Sequence, residues 1–237
     1  MNLSANRRRL LTVTGLAGIG YALSWIAGLS IPAPMPKLTA SGDQIATALA
    51  GHGTAVAAQF ALTEGLPAAA LAIVSIALAR AAHRSGRQPA ARAALIAGVA
   101  AALISLTQFV LGAVLAATSA PGTAHLLYDA VNRLDGVKML ALAVLAVAAV
   151  ASGILPRWLR YAGIALAITI TASGIAYLLL LPSLASLAVY PAGVLLLVFI
   201  TGTGITLGTS AGNPRRDAPT ARAAAGGPEM STAGARK

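Results

Sequence analysis

Six apolar stretches, each about as long as a bilayer is thick, follow one another along this chain, and they limit its fold more than any other feature. They run over Leu10–Ile31, Ala55–Ala79, Ala93–Ala117, Gly136–Leu155, Tyr161–Leu181 and Leu184–Leu207. Backbone N–H and C=O groups have no water to bond in hydrocarbon, so a spanning segment must satisfy them internally, as a helix does. The predicted fold class is therefore all-α: a polytopic membrane bundle of six transmembrane helices (residues 10–208), between a short N-terminal segment (1–9) and a C-terminal tail (209–237). Charge content agrees. Only 10% of residues are charged, against about 25% in soluble domains, whose surfaces face water. The 24 glycines and the abundant alanine suit helices that approach closely through small residues.

Lys and Arg placement predicts the orientation, because cytoplasmic loops carry an excess of them. Arg7, Arg8 and Arg9 precede the first stretch; Arg80, Arg84, Arg87 and Arg92 join the second and third. Arg157 and Arg160 join the fourth and fifth, and Arg215, Arg216, Arg222, Arg236 and Lys237 follow the sixth. Six crossings place all of these on one side and leave only Lys37, Arg133 and Lys138 on the other, a split of 14 against 3. An odd number of crossings would destroy it. The reading is a multi-pass protein of the cell membrane with both termini cytoplasmic. The net charge of +11 thus belongs to short cytoplasmic segments rather than to a nucleic-acid-binding face, and no nucleic acid partner is expected. Leu10–Ile31 exceeds the 7–15 residues usual for the apolar core of a secretory signal and reads as an uncleaved helix. The tail from Thr209 has no apolar period and reads as disordered. In the long loop after the first stretch, Ser41–Ala50 predicts a short helix with Ser41 as N-cap and Asp43 in its first turn.

Polar groups inside the spans carry what functional information there is, since an ionisable side chain in hydrocarbon is costly. The second stretch holds Gln59, Thr63 and Glu64, with Glu64 about 10 Å inside the outer boundary at 1.5 Å per residue. The antiparallel third stretch holds Gln108 about 13 Å inside. Desolvation favours the neutral form of an acid, which can donate a proton. Equally, Glu64 bonded to Gln108 or to a backbone carbonyl would simply lock the bundle. The run into the fourth stretch carries His125, Tyr128, Asp129, Asn132, Arg133, Asp135 and Lys138. At 100° per residue all but Lys138 share one arc of about 160°. The fourth helix should therefore begin ahead of the membrane with a polar face toward the bundle or the outer water. Asp129 and Arg133 form an i,i+4 pair, and Lys138 reads as snorkelling outward. The aromatic residues Tyr21, Trp25, Phe60, Phe109 and Tyr128 lie at the same level, either as an interfacial belt or as rings able to stabilise a cation. His52 and His125 lack metal-ligand spacing, so no metal and no cofactor is expected. The chain has no cysteine, which excludes thiolate chemistry, and Gly202–Thr203–Gly204 reads as close helix packing.

The turn Ser152–Gly153–Ile154–Leu155–Pro156–Arg157–Trp158–Leu159–Arg160, with Gly163 and Ala176–Tyr177–Leu178 after it, resembles the second half of a large bacterial family of six-helix membrane proteins. Ser41–His52 and the start of the second helix are similar to that family too. The resemblance covers most of residues 10–208, rests on structural motifs, and implies a topology without an activity. In size, in its alanine- and arginine-rich style and in pairing Glu64 with Asp129, the chain is also similar to the small membrane-bound terpene cyclases of actinobacterial meroterpenoid pathways. It lacks any diagnostic motif of theirs.

Three functions are compatible with these residues. The first is a membrane enzyme, an isomerase or cyclase acting on a lipid-soluble, prenylated small molecule. There Glu64 or Asp129 donates the proton, Gln59, Gln108 and Asn132 orient it, and Trp25, Phe60, Phe109 and Tyr128 shield the cation. The second is a small-solute transporter using the same acids, although internal repeats are absent. The third is a scaffold or regulatory protein whose partner is membrane lipid alone. Oligomeric state is not legible in the sequence.

Overall fold

The computed structural model describes residues 3–210, with side chains from Val13 to Thr209. The expected disorder of the tail thus lies outside the described residues, except that Thr209 and Ser210 still belong to the last helix. Among the described residues there are seven helices and no strand. They are α1 (Leu3–Leu29), α2 (Gly42–Leu49), α3 (Gly53–Arg84), α4 (Gln88–Ala117), α5 (Pro121–Ser152), α6 (Arg157–Leu178) and α7 (Pro182–Ser210). Helices α3 to α7 are long and apolar enough to cross a membrane, and α1 adds a shorter apolar stretch, Val13–Leu29. Large apolar side chains such as Leu16, Ile96, Leu103, Ile168 and Val194 lie exposed on the outside. A water-soluble bundle would turn such residues inward, so this is the surface of a multi-pass membrane protein.

The helix ends follow from local chemistry. α2 opens on the expected capping box: the Ser41 hydroxyl accepts from the Gln44 N–H, while the Gln44 side chain accepts from the Ser41 N–H. α5 starts at Pro121, 15 residues ahead of the fourth apolar stretch, so its polar run is helical as expected. It ends where Gly153 takes φ 69°, a left-handed cap that a side chain would resist. Pro156 then precedes α6. The second helix is longer than its apolar stretch because the Arg-bearing turn 80–84 remains helical up to Ser85.

The six long helices close into a ring in which each packs on its sequence neighbours and α7 returns against α1. Small residues set the close approaches. A methyl on Gly204 would meet the Thr14 carbonyl and Gly18 of α1, and one on Gly202 would meet Trp158 and Leu159 of α6. The Gly202–Thr203–Gly204 stretch is thus packing, as its sequence indicates. Gly136 of α5 lies against the backbone of Gly174 and Leu178 in α6. The short α2 lies across the start of α5, with Gly42 against the Pro121 carbonyl.

Candidate functional site

Helix α3 changes register midway. Residues Ala61–Gly65 form a π turn, in which the Leu66 N–H reaches back five residues to the Ala61 carbonyl. The Leu62 carbonyl, passed over by Leu66, would next meet residue 67, which is a proline and has no N–H to give. The Ser24 hydroxyl of α1 fills the vacancy at 2.6 Å. Inside this turn Glu64 points to the middle of the ring and is 7% exposed.

Three charges meet there. Lys138 of α5, 5% exposed, places Nζ 2.8 Å and 2.7 Å from the two Glu64 carboxylate oxygens and 2.7 Å from Asp135 Oδ1. Ser105 of α4 donates its hydroxyl to Glu64 Oε2 at 2.8 Å. Gln108 donates through Nε2 to the Val131 carbonyl at 3.1 Å and to Asp135 Oδ1 at 3.3 Å. Its Oε1 is buried without a partner, and the contacts of Asp135 with Gln108 and Lys138 both run through Oδ1. Two carboxylates around one ammonium leave the trio one positive charge short of neutrality. In a low-dielectric setting, that deficit calls for a proton or a cationic group.

A cavity of about 330 Å³ opens on Glu64 and Asp135 from the α2 end, within the range of small-molecule sites. Gln59, Thr63, Glu64, Gln108, Asn132 and Asp135 form its polar side, and Trp25, Phe60, Val131, Met139, Tyr177 and Val189 are among its apolar walls. The proline-rich segment Pro34–Met35–Pro36 roofs it, held by the Tyr128 hydroxyl, which donates to the Pro36 carbonyl. Asn132 donates back to the Tyr128 carbonyl at 2.8 Å, and the Thr63 hydroxyl donates to the Gln59 carbonyl at 2.9 Å.

The structure therefore gathers Glu64, Gln59, Gln108, Asn132, Tyr128, Phe60 and Trp25 around one cavity. Asp129 does not line it, and its expected i,i+4 partner Arg133 instead donates to the Leu178 carbonyl at 3.2 Å. The polar arc of α5 is split by its neighbours. Tyr128, Asn132, Asp135 and Met139 face the cavity at helical spacing, while His125 lies beside Gly42 of α2. Phe109 is also off the cavity, packed over Gly65 on the α3–α4 contact. Lys138 does not snorkel outward; the pull of two carboxylates turns it inward. Glu64 bonds Lys138 and Ser105 rather than Gln108 or a backbone carbonyl.

Sequence reasoning missed Asp135 as the acid that lines the cavity beside Lys138, and missed Lys138 and Ser105 as partners of Glu64. One signal was present: a buried Glu64 needs a cation, and Lys138, three residues from Asp135, is the only lysine inside an apolar stretch. Among the described residues no group of three or more His, Asp or Glu side chains is placed to hold a metal ion. No family model matches the chain, and neither a curated protein nor a solved structure matches it.

Proposed function

We propose that the chain crosses the cell membrane six times with both termini in the cytoplasm, and that its cavity takes a lipid-soluble, prenylated small molecule for proton-initiated cyclisation. The 14-to-3 charge split supports the orientation, and the likeness of the Leu155–Leu159 turn to the six-helix family supports the span count. One observation carries the chemistry: Asp135 lines an apolar, aromatic-lined cavity and meets its neighbours through Oδ1 alone, with the Lys138 ammonium 2.7 Å from that oxygen.

On this reading Asp135, rather than Glu64 or Asp129, is the catalytic acid. In its protonated form it gives its proton to one carbon of a terminal olefin. The π pair of a neighbouring double bond closes the ring on the resulting cation, and a C–H next to the final cationic carbon returns a proton to the Asp135 carboxylate. The product is an isomer of the substrate and no co-reactant is consumed. Lys138 stabilises the carboxylate left after the first transfer, and Glu64 and Ser105 position Lys138. Trp25, Phe60, Tyr128 and Tyr177 turn ring faces or edges to the cavity, where they can stabilise the carbocation and exclude water.

The test is conversion in isolated membranes without an ion gradient, in D2O, of quinones and phenols bearing prenyl chains. A cyclised isomer carrying one added deuterium, lost in Asp135→Asn and retained in Asp129→Asn, is the expected result. Conversion that Asp135→Asn leaves intact would refute the assignment of the acid. Uptake of a solute that requires a gradient, with no isomer formed, would favour transport.

A further inference from the structure

A second cavity, of about 570 Å³, lies at the opposite end of the molecule between the last turns of α3 and the first turns of α4. Helical spacing builds it. Ile76, Arg80, His83 and Arg84 recur at i, i+4, i+7 and i+8 on α3, and Gln88, Arg92 and Leu95 recur at i, i+4 and i+7 on α4. The two stripes face each other across the short connection Ser85–Arg87, where Gly86 takes φ 73°. His83 Nδ1 and Gln88 Oε1 lie 2.9 Å apart and tie the stripes together at the turn.

Arg80, Arg84 and Arg92 all line this one concavity and are solvent-exposed, and none has a hydrogen-bond or ion-pair partner among the described residues. The described acids Asp43, Glu64, Asp129 and Asp135 lie outside its walls. Three guanidinium groups thus line one space with no counter-charge among the described residues, and each presents a donor fork matched to phosphate. The other end of the cavity is apolar. From Arg84 to Ile76 is eight residues, about 12 Å along α3, and Ile76 and Leu95 both line the cavity, Leu95 remaining exposed to the surroundings of the bundle. A soluble anion would use only the basic mouth. A phosphate with a hydrocarbon chain attached uses the whole length.

From this we infer that the α3–α4 hairpin is a binding site for one anionic phospholipid, its phosphate among Arg80, Arg84 and Arg92 and the start of an acyl chain along Ile76 and Leu95. On the proposed orientation this mouth faces the cytoplasmic leaflet, where basic pockets between helices meet anionic headgroups. The site is independent of the cavity around Asp135.

The test uses the full chain purified in a neutral detergent, with lipid retention read by native mass spectrometry and stability by melting temperature. Phosphatidylglycerol should be retained as one molecule per chain and raise the melting temperature, whereas phosphatidylcholine should do neither. Each of Arg80→Gln, Arg84→Gln and Arg92→Gln should weaken apparent affinity about fivefold, and Arg157→Gln with Arg160→Gln should leave it unchanged. Leu95→Trp, which fills the apolar end without altering charge, should weaken retention while sparing the melting temperature of the lipid-free protein. Equal retention of both lipids, or equal loss in the Arg157/Arg160 variant, would reduce the effect to general surface charge and overturn the site. Stabilisation by soluble glycerol phosphate to the same extent as by phosphatidylglycerol would overturn the lipid assignment.

Discussion

Replacing Lys138 by methionine preserves most of the side chain's length and apolar stem and removes one charge from the centre of the ring. Its Nζ lies 2.7 Å from Glu64 Oε2 and 2.7 Å from Asp135 Oδ1. At an effective dielectric constant near 20, each contact is worth about 6 kcal/mol of Coulomb attraction. Removing all three charges from water costs several kcal/mol per ion, so the intact trio contributes little net stability. Its asymmetry is what matters. Lys138→Met leaves the buried Glu64 and the part-buried Asp135 without their shared counter-charge, and breaking a buried pair in this way costs about 3–5 kcal/mol. At about 2–4 °C per kcal/mol for a chain of this size, the melting temperature should fall by about 10 °C. The assay is thermal unfolding of purified protein in detergent at neutral pH. Adding Glu64→Gln and Asp135→Asn to Lys138→Met removes the stranded charges and should recover at least half of the loss. A single variant that melts within about 2 °C of the parent, a shift worth no more than about 1 kcal/mol, would refute the buried trio. So would strict additivity across the series, because groups in contact must couple.

Four further outcomes follow from the packing. Ser24→Ala should cost about 1–3 kcal/mol by stranding the Leu62 carbonyl, and adding Pro67→Ala, which restores an N–H to α3, should return part of that loss in the same melting assay. Gly136→Ala should destabilise by about 1–3 kcal/mol, because its methyl would meet the backbone of Gly174 and Leu178. Gly20→Ala meets nothing within 4 Å and should instead stabilise α1 by about 0.5–1 kcal/mol. Tyr128→Phe frees the Pro36 carbonyl and should raise the labelling rate of a cysteine placed at exposed Met35 several-fold without changing the melting temperature by more than about 3 °C, or about 1 kcal/mol.

Much of the fold is legible in the sequence because lipid imposes a one-dimensional rule. A segment must be apolar for about 20 residues and must satisfy its own backbone. Helix number, the early start of α5, the Ser41 cap and the packing role of Gly202 and Gly204 all follow from residues near one another in the chain. The polar level shared by Glu64, Gln108 and the Tyr128–Asn132 face also follows, since depth is a count along a helix. Facing does not. Whether Asp129 or Asp135 meets the cavity depends on where α2 and α6 pack against α5, and packing between separate helices leaves no trace in the local residue pattern.

Lys138 shows the limit most sharply. Its position two residues into the apolar stretch makes snorkelling a sound expectation, yet two carboxylates, one from the same helix and one from α3, hold it inside. The π turn of α3 is a similar case, because Pro67 is visible in the sequence and Ser24, 38 residues from Leu62, is not visibly its remedy. The sequence by itself determined an all-helical membrane chain and the depth of its polar groups, because those depend on hydropathy and helical rise. Only the tertiary structure decided which charges neutralise one another and which acid lines the cavity, because electrostatic pairing acts across helices that the chain order keeps apart.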